Sequence, residues 1–365
     1  MKIGDAKVSL AVVTGGGTGG HVIPALAIRE AFIKRGIDTV YIGSKNGIEA
    51  RIVKDDMNSL FLNLRGVKGK GIGDAVKGVF LSLSAFLRLL CHFLKIKPTV
   101  VVGTGGFVCF PAVAAGFLCG SKIYLQEQNA VPGATIKLLS KFAKYVFLGF
   151  EDAGQFLPAD KTIYSGNPLR RVFYEEKRGY TSHKIGEKMQ ILVLGGSQGA
   201  NFINTIVTET VDLLKKDRFI FIHQAGEKNR ESIEKIYKEK GVEAKVLGFS
   251  QDLHKYYFQS HLIISRAGAM TVSEIAASLR PSILIPFPHA IYDHQRKNAL
   301  ALEKIGAAKV FLEKEVTADI LAAVITELYE NPEQLINMSK NLTVLKYVDA
   351  AEFITEKILE DMKVV

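Results

Sequence analysis

Glycine, serine, histidine and acidic residues fall in this chain where they could hold a phosphate and move a proton. The run Gln190 to Gly199 passes from an apolar stretch, Ile191 to Leu194, into Gly195-Gly196-Ser197-Gln198-Gly199 and then into a helix-like segment, Ala200 to Leu214. A strand, a glycine turn and a helix start make an anion site, because glycine lets the backbone approach closely and the first helical N–H groups lack partners. Ser197 adds a hydroxyl donor there. Glycine also serves tight strand-to-helix turns for steric reasons alone, so the motif gains weight from its repetition. A second such start, Gly268 to Glu274, offers Thr271 as a donor, and Glu274 sits one turn inside its helix, placed to accept from the vicinal hydroxyls of a ribose. The plainer role for Glu274 is a carboxylate favouring the helix dipole. Near the N-terminus, Gly15-Gly16-Gly17-Thr18-Gly19-Gly20 closes on His21. A histidine at a helix start is disfavoured as a cation, so it stays neutral and available as a base near pH 7; a cap or packing role is the alternative.

Two other chemistries fit less well. Gly15, Gly17 and Gly20 satisfy G-x-G-x-x-G, but a nicotinamide enzyme wants an acidic residue after the second strand, where this chain has Gly43-Ser44. Nothing resembles a metal cage and no Asp-x-Asp motif is present to hold a divalent ion, so a leaving diphosphate would rely on helix ends and N–H groups. No serine lies in a nucleophile elbow. No cofactor is expected.

Alternating strands and helices must carry these loops. In the first half the apolar runs Lys7 to Val13, Thr39 to Ile42, Thr99 to Val102, Ile123 to Leu125 and Tyr145 to Leu148 read as strands. Those of the second half are Ile191 to Leu194, Phe219 to Gln224, Ala244 to Leu247, Leu262 to Ser265 and Ser282 to Ile285. Helical patterns intervene, and two amphipathic segments, Ala318 to Tyr329 and Asp349 to Met362, end the chain. At 365 residues, 48% of them hydrophobic, the chain supports two α/β cores, read as parallel-sheet domains facing a cleft. With 47 basic against 37 acidic residues the net charge is +10, which suits an anionic partner: nucleic acid, acidic lipid or a phosphorylated substrate. Without zinc-finger spacing or interleaved aromatic and basic residues, nucleic acid is the least expected of these.

Cys91, Cys109 and Cys119 form no CxxC pair, which reads as a reduced, intracellular protein. Val8 to Val13 is too short for a signal peptide or a membrane span. From Arg65 to Lys97 seven basic residues accompany one acidic residue, and a helix from Asp74 to Ile96 sets Lys77, Ser84, Arg88, His92 and Lys95 as a polar stripe within an apolar surface. Either this helix packs between a sheet and a neighbour, or part of its apolar face lies on an anionic membrane surface. Arg88 and His92 are expected to keep it from spanning.

Seven stretches resemble, in order and over nearly the whole chain, the motifs of the MurG family, peptidoglycan glycosyltransferases of family 28. They are Thr14 to Pro24 (TGGGTGGHVIP), Val101 to Pro111 (VVGTGGFVCFP), Glu127 to Gly133 (EQNAVPG), Gly166 to Arg170 (GNPLR), Gly195 to Ala200 (GGSQGA), Ser265 to Ala276 (SRAGAMTVSEIA) and Pro286 to Ala299. The resemblance implies a GT-B fold of two Rossmann-like domains: an acceptor- and membrane-binding domain over 1–165, a UDP-sugar domain over 166–345, and a helix over 346–365 crossing back to the first. It implies transfer of N-acetylglucosamine from UDP-N-acetylglucosamine to undecaprenyl-pyrophosphoryl-N-acetylmuramyl-pentapeptide, peripheral attachment to the cytoplasmic face of the cell membrane, and partners in the cell-wall and division machinery.

Carried over by motif, His21 is the base. Ser197 and the turn formed by Ala269, Met270, Thr271, Val272 and Ser273 hold the diphosphate, and Glu274 takes the ribose. Arg170 and the backbone at Ser250 contact the nucleotide, while Asn129 and Gln295 address the sugar. Thr18, Gly19 and Gly20 approach the donor from the first domain, and Gly16, Gly17, Gly105, Gly106 and Glu127 belong to the acceptor site. Gln126 stands where many members have histidine, and Ser250 replaces a frequent apolar residue. A UDP-sugar epimerase or glycolipid synthase of the same fold and a non-catalytic nucleotide-sugar carrier are the rival readings.

Overall fold

A computed structural model describes residues 8–53, 56, 58–64, 72–177, 188–195, 200–248, 250, 252–345 and 349–363. The chain divides into two compact units, Met1–Arg170 with Val348–Val365, and Arg171–Tyr347. In unit 1 the order is β1 (Leu10–Thr14), α1 (Gly19–Lys34), β2 (Asp38–Ser44), α2 (Glu49–Ile52), β3 (Ser59–Leu62), α3 (Ile72–Ile96), β4 (Val100–Gly103), α4 (Cys109–Leu118), β5 (Lys122–Glu127), α5 (Ala134–Leu139), β6 (Tyr145–Leu148) and β7 (Thr162–Tyr164). These strands form one parallel sheet in the order β3-β2-β1-β4-β5-β6-β7. Val12 at its centre pairs with Val40 on one side and Val101 on the other. The middle strands are continuous runs of Val, Ile and Leu because helices cover both faces, as parallel sheets require.

Unit 2 repeats the plan with α6 (Val172–Lys177), β8 (Met189–Leu194), α7 (Asn201–Thr210), β9 (Phe219–Gln224), α8 (Arg230–Glu239), β10 (Ala244–Leu247), α9 (Leu253–Gln259), β11 (Leu262–Ser265), α10 (Ala269–Ala277), β12 (Ser282–Leu284), α11 (His294–Lys304), β13 (Ala308–Val310), α12 (Ala318–Glu330) and α13 (Pro332–Asn341). Its parallel sheet runs β10-β9-β8-β11-β12-β13. In both sheets the strand order reverses beside the first strand, between β1 and β4 and between β8 and β11. Parallel sheets bind ligands beyond the carboxyl ends of their strands at such a switch point. The loops after β1 and β4, and those after β8 and β11, are the ones in which glycine leads into a helix that the residue types single out. The sheet topology therefore selects the same loops that the residue types do.

A final helix, α14 (Ala350–Lys363), belongs to unit 1 and packs on α1. Ile354, Ile358, Leu359 and Met362 join Ile28, Phe32 and Tyr41 in one buried cluster. Asp361 accepts from the Tyr124 hydroxyl at 2.6 Å and from Lys122 at 3.4 Å, and Glu352 pairs with Arg35.

Helix α3 lays Ala85, Leu89 and Phe93 into the core of unit 1. Its other sides carry Val79, Phe80, Leu83, Leu87 and Leu94, with Phe80 70% exposed. The 19 residues Gly78–Ile96 are long and apolar enough to cross a bilayer by length and composition, against the expectation that Arg88 and His92 rule this out. Its buried face ties the helix to the unit all the same. Lys68 and Lys70 of the preceding loop lie outside the described residues.

Several elements escaped the sequence reading: β3, β7 and β13, the short helices α2, α5, α6 and α9, and α13. The helix expected over Ala200 to Leu214 is α-helical only to Thr210 and tightens to a 3-10 turn at Val211–Leu213. There the Thr210 hydroxyl bonds back to the Ile206 carbonyl at 2.7 Å.

Candidate active site

In unit 1 the loops after β1 and β4 pack directly on each other. Gly106, at φ +79°, lies so close that a Cβ would overlap the Gly16 carbonyl oxygen, and a Cβ on Gly105, at φ +103°, would stand 2.9 Å from His21 Nδ1. Glycine here is a requirement of close approach. The Thr104 hydroxyl donates to the His21 carbonyl at 2.7 Å and joins the two loops.

The His21 ring is half-buried at the start of α1, where Thr18 caps with an extended backbone. Its Nδ1 faces the Thr104 carbonyl at 3.1 Å and Gln128 Oε1 at 2.8 Å. Both are acceptors, so Nδ1 carries the proton and the neutral ring keeps its lone pair on Nε2. That is the tautomer a base needs.

Two buried carboxylates shape the surrounding loops. Glu49 accepts from the Ser44 amide at 2.8 Å and from the Gly17 amide at 3.2 Å. Glu49 thus holds the Gly17 amide of the first glycine loop. Glu127, 2% exposed, takes the Asn129 amide at 2.8 Å, the Asn129 side-chain N–H at 3.1 Å and the Gly133 amide at 2.9 Å. Glu127 thus braces the loop that carries Asn129. Arg170 is half-buried at the end of this unit.

In unit 2, Gly268 opens α10 with an extended backbone. Ala269, Met270, Val272, Ser273 and Glu274 are buried, and Thr271 is the half-exposed side chain of the first turn. At this turn the Val272 and Ser273 side chains are buried and the Val272 amide donates to the Gly268 carbonyl at 2.9 Å, so the unpaired N–H groups of the helix start are those before Val272. Glu274 Oε2 accepts from the Tyr257 hydroxyl of α9 at 2.8 Å, and the Tyr257 ring meets Phe173 edge-on with centroids 5.4 Å apart.

Gln295, near the start of α11, accepts through Oε1 from the Ala267 amide at 3.2 Å and the Phe287 amide at 3.0 Å. It ties the loop after β11 to the loop after β12, and its Nε2 remains the donor that could meet a sugar hydroxyl. Arg266 reinforces the same junction: it donates to the carbonyls of Ile285 at 3.1 Å and Pro286 at 3.3 Å, pairs with Glu313, and lies over the rings of Phe202 and Phe287. Ser250 is half-exposed in the loop beyond β10. Ser197, with Gly196, Gln198 and Gly199, lies outside the described residues. Sequence reasoning missed Gln128, Glu49, Tyr257 and Arg266, although Gln128 and Arg266 stand inside motifs it had marked.

Each unit therefore sets glycine turns and a helix start at the switch point of a parallel sheet, with a base-competent histidine in one unit and a buried carboxylate behind a helix N-terminus in the other. The crystal structure of MurG from Acinetobacter baumannii superposes with a TM-score of 0.77 at 27% identity, over 98% of this chain and 99% of that one. The fold is the two-domain GT-B fold. A UDP-GlcNAc 2-epimerase from Neisseria meningitidis shares it at 16% identity and TM-score 0.64, covering 96% and 99% of the two chains.

The models for the glycosyltransferase family 28 N-terminal and C-terminal domains match residues 11–148 and 190–354. A UDP-N-acetylglucosamine–N-acetylmuramyl-(pentapeptide) pyrophosphoryl-undecaprenol N-acetylglucosamine transferase from Myxococcus xanthus is 40% identical over 93% of this chain and 90% of its own. The enzyme of that name from Syntrophus aciditrophicus is 37% identical over 94% and 96%. The chain belongs to glycosyltransferase family 28.

Proposed function

We propose that this chain moves N-acetylglucosamine from UDP-N-acetylglucosamine to the muramyl C4 hydroxyl of undecaprenyl-pyrophosphoryl-N-acetylmuramyl-pentapeptide, with inversion, in peptidoglycan synthesis. The observation that carries the reading is the His21 ring, whose Nδ1 faces two acceptors and whose Nε2 is left to take a proton. Relatives that bear this activity in their names and match over at least nine-tenths of both chains support it.

The step is a single displacement. As the acceptor oxygen bonds to the anomeric carbon, its proton passes to His21 Nε2 and the bond from that carbon to the UDP oxygen breaks. UDP leaves as an anion toward the N-terminus of α10 and the Ser197 loop, where N–H groups and the helix dipole take up its charge. Glu274 accepts from the ribose, Arg170 and the Ser250 backbone hold the nucleotide, and Asn129 and Gln295 orient the sugar with Thr18, Gly19 and Gly20. Gly16, Gly17, Gly105, Gly106 and Glu127 serve the acceptor, Glu127 by bracing the loop of Asn129 and Gly133. In this reading residues 1–165 serve the acceptor and 166–345 the donor, with 346–365 returning to the first domain; the compact units divide slightly later, at Arg170 and at Tyr347.

In this reading the protein is peripheral on the cytoplasmic face of the cell membrane, beside its lipid-linked substrate and the cell-wall and division machinery; the exposed apolar side of α3, which suits the headgroup region of an anionic membrane, supports that placement. A general base is worth a factor of about 10² to 10⁴, or roughly 3 to 5 kcal/mol. Incubation with labelled UDP-N-acetylglucosamine and a lipid-linked muramyl acceptor should give transfer of label to lipid, and His21→Ala should lower turnover by about that factor with little change in donor affinity. Release of an epimerised sugar nucleotide in place of transfer would defeat the proposal.

A further inference from the structure

Behind His21 lies a buried chain of amide side chains, and we infer that Gln128 is a positioning residue that keeps the His21 proton on Nδ1 so that Nε2 is the proton acceptor. The inference rests on the reading of His21 as the base. Gln128 follows β5 and is 2% exposed. Its Nε2 donates to the Thr104 carbonyl at 2.8 Å, to the Gln126 carbonyl at 3.1 Å and to Gln126 Oε1. Two of these acceptors are backbone carbonyls, which cannot donate, so the amide has one orientation and it is Oε1 that reaches His21.

The next links are fixed in the same way. Gln126 donates through Nε2 to the Glu127 carbonyl at 3.2 Å and to Asn167 Oδ1 at 2.9 Å, and Asn167 donates through Nδ2 to the Gln128 carbonyl at 2.9 Å. Every amide in the chain is oriented by a main-chain carbonyl. Were Gln128 reversed, its N–H would face Nδ1 and oppose the ring proton there, leaving the Thr104 carbonyl at 3.1 Å as the one acceptor that favours the base-competent tautomer. In a Ser-His-Asp triad a carboxylate occupies the place of Gln128. A neutral amide that accepts from Nδ1–H favours the same tautomer.

Among the described residues, the titratable side chains of the neighbouring loops and strands are engaged elsewhere. Glu49 accepts from Gly17 and Ser44, Tyr41 donates to the Gly15 carbonyl at 2.5 Å, and Glu127 holds Asn129 and Gly133. Burial pushes the Cys109 thiol of α4 up to about 12, which keeps it neutral.

Gln128→Glu places a carboxylate at Nδ1 and should raise the acid limb of kcat/KM by about one pH unit or more, while Gln128→Met, similar in shape, removes an acceptor and should lower it. In the substrate-free proteins, nitrogen–proton NMR of the His21 ring should show its titration midpoint moving in the same opposed directions. For Gln128→Met, kcat at neutral pH should fall about tenfold with the KM for UDP-N-acetylglucosamine within about twofold, the pattern of a weakened base. A purely structural role would not send the two variants opposite ways. Should Gln128→Glu fail to fold, Gln128→Met decides alone. A His21 midpoint that stays put in the folded variants overturns the inference. Midpoints that move while the rate profile does not would uphold Gln128 as the partner of His21 and remove His21 as the base.

Discussion

A carboxylate that is 8% exposed, as Glu274 is, needs partners, because desolvating its charge is costly. The Tyr257 hydroxyl supplies one, and a ribose diol would supply others. Glu274→Ala should therefore weaken UDP binding by about 1.5 to 3 kcal/mol, roughly ten- to a hundredfold, as expected for hydrogen bonds to a charged group. Titration calorimetry reads this directly, and an unchanged Kd would refute the ribose assignment. The helix starts that carry His21 and Glu274 were legible in the sequence because each follows a glycine turn. Their partners were not. Tyr257 lies 17 positions from Glu274, Gln128 lies 107 from His21, and Glu49 lies 32 from Gly17. Such pairs are set by sheet order, which no local pattern encodes.

At the scale of elements, the central strands could be read to within a few residues because a buried parallel strand is a near-continuous run of Val, Ile and Leu. The strands β3, β7 and β13 could not, being three or four residues long at sheet edges, where most positions are only partly buried and the apolar signal is short. Helix α3 is the reverse case, with more apolar surface than its core contacts use. Burying a Phe or Leu side chain is worth about 1.5 to 3 kcal/mol. If the outer face of α3 enters a headgroup layer, the double variant Phe80→Ser/Leu83→Ser should lose about tenfold or more in co-sedimentation with vesicles containing anionic lipid, with UDP binding intact. Equal sedimentation by both proteins would sink the membrane assignment.

For the molecule as a whole, the division into two units leaves unit 1 dependent on a helix from beyond unit 2. Removing residues from 348 onward takes Ile354, Ile358, Leu359 and Met362 out of the core around Phe32 and leaves Tyr124 without its Asp361 partner. The lost burial of these side chains, at about 1.5 to 3 kcal/mol each, rivals the whole stability of an ordinary domain, about 5 to 15 kcal/mol. Calorimetry on the truncated chain should show one thermal transition lost or shifted down by tens of degrees and a second, belonging to unit 2, retained. Two transitions at their original temperatures would contradict it. The pair of α/β cores was legible from length and alternation. The dependence of one on α14 is a matter of packing, which the amphipathic pattern of that segment announces without naming its partner.

That dependence also fixes a timetable for biogenesis. On the ribosome, all of unit 2 emerges before α14 does, so the half of the protein that is translated first is the last to close. Until then the groove on α1 and its sheet stays uncovered, a surface that nascent-chain chaperones would recognise.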